Sequence, residues 1–212
     1  MIKSSRILVT GFRPFQGESI NPSEILLEWI KKDFSVKHGV DTLLLPVSFN
    51  QGPLVLLEQL SIKSYDVILL LGQAGGRSKV SLERVALNWI ETEKPDEDQH
   101  TPQQGVIEEG VEPALFSHLP LSEWKEQIVK MNLPLEVSLS AGGYVCNYVY
   151  FQALRHIQKN QLSSKACFIH VPYLPEQVVD KGNAPSLDLE TMKNILRLIL
   201  EQCFAPKEER SF

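Results

Sequence analysis

Residues 138–156 read SLSAGGYVCNYVYFQALRH. A strand-like run over Glu136–Leu139 turns through Gly142 and Gly143, which take backbone angles closed to other residues, and delivers Cys146 to a helix start. Tyr148, Val149, Phe151, Ala153 and Leu154 supply that helix with an apolar face. Strand, turn and helix in succession is the repeating unit of an α/β fold. A helix start also presents unpaired N–H groups and the positive end of the dipole, both favouring thiolate, so Cys146 is expected to be a nucleophile. The competing reading is a small buried hydrophobe, as most free cysteines are.

The same alternation runs along the rest of the chain. RILVT (6–10) is a buried strand, followed by the loop GFRPFQGESINPS and a helix over Glu24–Asp33, with Asn21 or Ser23 as its cap. Val40–Val47 is a second strand, and Pro53 opens a helix whose apolar residues are Leu54, Leu57 and Leu60. DVILLL (66–71) is apolar throughout, so it is expected to be covered on both faces; it ends in GQAGGR. Loops at the carboxyl ends of such strands hold ligands in α/β proteins, which makes Gln73–Arg77 a candidate site by position. Glu83–Trp89 reads as one further strand, and residues 90–109 as a long polar loop. A helix over Ser122–Met131, a strand over Lys165–Val171 and a final amphipathic helix from Ser186 complete the pattern. The expected architecture is one domain over residues 1–212, an αβα sandwich around a mostly parallel, mixed sheet, with 206–212 as a frayed tail.

Composition narrows the function. The chain has 212 residues, 43% of them apolar, 22% charged, and a net charge of -5, with its basic residues scattered rather than striped. That balance fits a folded domain and excludes a nucleic-acid footprint. Three widely spaced cysteines, Cys146, Cys167 and Cys203, suit neither a disulfide framework nor a metal site and fit a reducing cytoplasm. The N-terminus lacks a signal peptide's pattern, and no apolar run approaches a membrane span.

A cysteine nucleophile needs a histidine, and His170 ends the apolar run KACFI at the sheet edge where the cysteine turn and GQAGGR are expected. His156 lies on the cysteine helix itself, too far along to reach back to its start. An acceptor must orient the imidazole: Glu83, Glu91 and Asp96 all qualify, and spacing does not rank them. For Glu83 an ordinary ion pair with Arg84 or Lys79 remains open.

Four ordered blocks carry a resemblance: TGFRPFQGESINPS, GQAGGRSKVSLERVALN, SAGGYVCN and FIHVPYLPEQ. Together they resemble pyroglutamyl peptidase I, a cysteine peptidase family. The resemblance implies a single αβα domain, cleavage of N-terminal pyroglutamate from peptides, no cofactor and no metal, and a cytoplasmic enzyme, often a homotetramer. It places the catalytic Cys, His and Glu on Cys146, His170 and Glu83. Phe12 and Phe15, with Tyr144 where a Phe is usual, would form an apolar slot for the lactam ring, and Gln73 would line the same pocket. The backbone N–H of Cys146 is the expected oxyanion donor.

Two departures stand out. Gln16 occupies a glycine position of the family pattern. After ERVALN the chain reads WIETEKPDED, so Glu93 falls where the family has an arginine near the oxyanion, leaving Lys94 as the substitute donor. The alternative function is therefore a divergent member that binds pyroglutamyl peptides with weak or no turnover. A nucleotide-binding protein is the third reading, and neither glycine-rich run has the spacing for it.

Overall fold

In β3 (Val67–Gln73) the sequence VILLLGQ is buried from its first residue through Gly72, because both faces of the strand are covered. Val67, Leu69 and Leu71 face one apolar cluster and Ile68 and Leu70 the other. The computed structural model describes residues 5–204, and the sequence's expected tail at 206–212 lies outside them.

β1 (Ile7–Phe12) is followed by α1 (Pro22–His38), β2 (Val40–Leu45) and α2 (Gln51–Ile62), and then by β3. β4 (Val80–Glu83), β5 (Val85–Leu87), β6 (Ala114–Phe116), α3 (Leu121–Val129) and β7 (Leu135–Ser138) come next. α4 (Val145–Lys159), β8 (Lys165–Val171) and α5 (Leu189–Phe204) close the chain. The main sheet runs β2-β1-β3-β8-β4-β7, parallel throughout except where β4 lies antiparallel to β8. Side chains of α1, α3 and α5 pack on one face and those of α2 and α4 on the other, which is the expected αβα sandwich around a mixed sheet.

The topology positions the site. From β1 the chain moves outward to β2 and then returns to β3 on the other side of β1, with α1 and α2 on opposite faces. The strand order thus reverses between β1 and β3, and α/β sheets open a crevice at the carboxyl ends of such a pair. β1 stays paired with β2 as far as Phe12, while its ladder with β3 stops at Thr10 and Leu70, so the two strands part there.

Several sequence expectations shift. The run 83–89 is two strands: β4 ends at Glu83 in the main sheet, and β5 pairs with β6 in a second, two-stranded sheet. Arg84 is the joint, its N–H donating to Ser138 O at 2.8 Å and its carbonyl accepting from Ser117 N at 2.9 Å. A change of partner leaves no mark in an apolar run. On α2 the inward residues are Gly52, Pro53, Leu56 and Leu60, whereas Leu54 is 48% exposed, because the helix turns its glycine toward Val149 of α4. α5 begins at Leu189 rather than near Ser186, with Asp188 accepting from Thr191 N at 2.8 Å, while Leu187 N still donates to Tyr173 O.

The polar segment 90–109 is built in through its carboxylates. Asp96, fully buried, accepts from the backbone N–H groups of Phe49, Asp98 and His100 at 2.9–3.0 Å. Glu97 accepts from Val47 N at 2.9 Å and Asp98 from Ser48 Oγ at 2.7 Å, so the segment is pinned to the turn between β2 and α2. Among the described residues no helix is long and apolar enough to cross a membrane.

Candidate active site

Glu83, the last residue of β4, has no exposed surface, and its Oε1 lies 2.7 Å from His170 Nδ1 and 2.6 Å from Arg77 Nη1. The cross-strand register explains the first contact. Glu83 stands opposite Phe168 and Ser81 opposite His170, so Glu83 and His170 are diagonal neighbours on one face of the sheet. A carboxylate accepts only, so Nδ1 carries the hydrogen and Nε2 is left as the basic nitrogen. The ion pair that forms is thus with Arg77 of the GQAGGR loop, not with Lys79 or Arg84. Arg77 also donates to Ser140 O at 3.3 Å, tying that loop to the turn ahead of Cys146.

Cys146 is the second residue of α4. Its N-cap residue, Tyr144, makes no side-chain cap hydrogen bond, which leaves first-turn amides available to a ligand. Gly72 locates the sulfur. That glycine stands directly beside His170 in the β3–β8 ladder, and a Cβ added to it would meet Cys146 Sγ at 3.2 Å and Phe168 Cζ at 2.6 Å. The sulfur therefore occupies the space that a side chain on the neighbouring strand would fill, on the face that carries His170. Asn147, next in the helix, accepts from Leu87 N at 2.8 Å and donates to the carbonyls of Leu87 and Trp89, bracing the segment after Glu83 against α4.

The electrostatics differ from the expectation of a resting thiolate. Burial, then the negative charge of Glu83, pushes the Cys146 thiol up to about 12, while Arg77 and the cysteine's own N–H pull the other way. Cys146 is reached from the cleft but otherwise enclosed by protein, so loss of water outweighs the helix dipole. Burial also lowers the pKa of His170, against Glu83, which raises it. Both shifts favour the uncharged thiol and imidazole over the ion pair.

A cleft of about 610 Å³ opens above the sulfur. Phe12, Phe15, Gln73 and Tyr144 line it together with Cys146. The Phe15 and Tyr144 rings stack at 5.8 Å, Phe49 meets Tyr144 edge-on at 5.4 Å, and the Tyr144 hydroxyl donates to Pro95 O at 2.8 Å. His170 and Glu83 are buried and do not line the cleft, and the Phe168 ring packs against that of His170 at 4.7 Å. Lys94 reaches the cleft, whereas Glu93 does not. Gln16 adopts φ 57°, the left-handed region in which a glycine costs nothing.

Of the other acids considered from sequence, Glu91 lines the cleft but its carboxylate accepts from Trp89 Nε1 at 2.8 Å, and Asp96 orders its loop. Sequence reasoning missed the part of Asn147 and of Tyr173, whose ring covers Gly75 at the cleft wall. The VCN and VPY blocks contained both, but nothing local shows what an amide or a ring touches across the fold. Among the described residues no group of three or more His, Cys, Asp or Glu is placed to hold a metal ion.

A family model described as pyroglutamyl peptidase matches residues 5–204. The pyrrolidone-carboxylate peptidase of Thermosipho africanus is 40% identical over 196 residues, covering 90% of this chain and 93% of that protein. That of Staphylococcus aureus strain JH9 is 42% identical over 185 residues, covering 87% and 86%. Among solved structures, the pyrrolidone carboxyl peptidase of Fervidobacterium islandicum superposes with a TM-score of 0.89 at 36% identity, covering 93% of this chain and 97% of the other. Pyroglutamyl peptidase I of Bacillus amyloliquefaciens gives 0.86 at 33%, covering 92% and 93%.

Proposed function

Because the chain belongs to the pyroglutamyl peptidase family, cysteine peptidases that release N-terminal pyroglutamate, we propose that it does so through Cys146, His170 and Glu83. The observation that carries these assignments is the 2.7 Å contact between His170 Nδ1 and Glu83 Oε1, beside a glycine whose missing side chain makes room for the Cys146 sulfur.

With thiol and imidazole both neutral, the proton passes from sulfur to His170 Nε2 as the sulfur attacks the carbonyl carbon of the pyroglutamyl peptide bond. The amide N–H of Cys146 and the Lys94 ammonium stabilise the oxyanion, Lys94 standing in for the arginine that Glu93 replaces. Collapse breaks the C–N bond, and His170 returns the proton to the departing amine. A water then gives a proton to His170 and attacks the thioester; pyroglutamate leaves and the proton returns to sulfur. Phe12, Phe15 and Tyr144 hold the flat, uncharged ring, and a charged N-terminus is rejected by its desolvation cost.

Cys146→Ala is expected to abolish release of the fluorophore from pyroglutamyl-7-amido-4-methylcoumarin, a loss of about a thousandfold or more. Turnover by that variant would remove the assignment. Lys94→Met is expected to lower kcat about tenfold. No observation favours binding without turnover. Membership also supports a cytoplasmic enzyme assembled as a homotetramer; light scattering at four times the 24.0 kDa chain mass would agree, and a monomer would not.

A further inference from the structure

The side-chain amide of Gln73 can sit only one way round. Leu174 N–H donates to Gln177 Oε1 at 2.9 Å, and a backbone N–H only donates, so that atom of Gln177 is its oxygen. The other end, Nε2, is ringed by acceptors: Gln73 Oε1 at 2.9 Å, Ile20 O at 3.3 Å and Glu18 Oε2 at 3.4 Å. An amide nitrogen accepts nothing, so the Gln73 atom facing it is the oxygen. Polarity therefore runs from a backbone N–H through Gln177 to Gln73, and it ends on the Nε2 hydrogens of Gln73, which have no acceptor among the described residues.

Gln73 lines the cleft; Gln177 is buried and does not. Two other side-chain amides, Gln16 and Asn21, line the cleft, and Asn21 is already committed. Asn21 accepts from Ser23 N at 3.0 Å and Ser23 Oγ at 2.8 Å, and donates to Arg13 O at 3.0 Å, all in the service of the α1 cap. Asn21 is therefore held by the cap, and of Gln16 and Gln73 only Gln73 is oriented by a hydrogen bond from a buried partner among the described residues.

We propose that Gln177 is a positioning residue for substrate recognition: by donating to Gln73 Oε1 it turns the Nε2 hydrogens of Gln73 into the cleft, where they receive the ring carbonyl of the pyroglutamyl group. The inference rests on the pyroglutamyl reading for the ligand and goes beyond it in saying which ring atom the amide reads. A prolyl ring, with CH₂ in place of that carbonyl, leaves a half-buried donor unpaired and is rejected.

The test uses Gln177→Met, Gln73→Leu and the double variant, with two coumarin reporters: the pyroglutamyl amide and its 3-oxocyclopentanecarbonyl analogue, which keeps the ring carbonyl but lacks the ring N–H. Gln177→Met and Gln73→Leu should each lower kcat/KM about tenfold, mainly through KM, and by the same factor for both reporters. The double variant should be no worse than Gln73→Leu, because Gln177 acts through Gln73. Unchanged kcat/KM in Gln177→Met overturns the proposal, and so does a double variant whose losses multiply. A loss in Gln73→Leu confined to the lactam reporter also overturns it, since Gln73 would then accept from the ring N–H; this arm holds even if Gln177→Met fails to fold. Failure of the unmodified enzyme on the lactam reporter instead removes the parent reading, and this one with it.

Discussion

Gly72 is a glycine because two other residues need its space. A methyl group there would lie 2.6 Å from Phe168 Cζ and 3.2 Å from Cys146 Sγ. Gly72→Ala is therefore expected to cost about 1–3 kcal/mol in thermal or denaturant unfolding. It should also depress turnover of the pyroglutamyl reporter more than that loss of folded protein explains, because the sulfur itself is displaced. The protonation of Cys146 gives a second prediction at this scale. With the thiol pushed up to about 12, inactivation by iodoacetamide should keep accelerating through pH 9–10 and show no plateau near neutrality. A plateau below pH 8 would mean a preformed ion pair with His170. The helix start made Cys146 legible in the sequence as a candidate nucleophile, but not its charge state. The dipole effect is local, whereas the burial that outweighs it comes from β3, β8 and the loops around the cleft.

Among the elements, the segment 90–109 shows what polar composition leaves unsaid. It reads as a long polar loop, and within that loop Asp96 is fully buried and accepts three backbone N–H groups, one of them from Phe49. Asp96→Ala leaves those donors unpaired and is expected to cost about 3 kcal/mol or more, to expose 91–105 to limited proteolysis, and to raise KM. The last effect follows because the segment carries Lys94 to the cleft and Pro95 to the Tyr144 hydroxyl. The loop after β1 makes a smaller case. Gln16 holds φ 57°, so Gln16→Gly relieves about 1 kcal/mol of backbone strain, offset in part by a more flexible unfolded chain. A small rise in melting temperature is expected. The division of 83–89 into β4 and β5 was illegible for a related reason: an apolar run reports burial but not which strand it lies against.

For the molecule as a whole, the protonation of His170 would couple the proposed catalysis to stability. Burial keeps the folded-state pKa of His170 below the ordinary histidine value of about 6.5, so the unfolded chain takes up its proton first as the medium turns acid. The stability this contributes is present above about pH 6.5 and is lost as pH falls through the lowered value. Melting temperature should drop between pH 7 and 5, His170→Asn should flatten part of that slope, and kcat/KM should fall over the same interval as the base is protonated. His156, also lowered by burial, accounts for some of the slope that remains. By itself the sequence determined the αβα class, most of the strands and helices, and the residues proposed to carry the chemistry, because periodicity, turn residues and the four family blocks are all written locally along the chain. Only the tertiary structure decided that Glu83 bonds His170 and Arg77 at once, that the sulfur rests in the hollow of Gly72 as a neutral thiol, and which way the Gln73 amide faces. Those facts depend on strand order, cross-strand register and loss of water, which arise between residues far apart in the chain and leave no periodic trace within it.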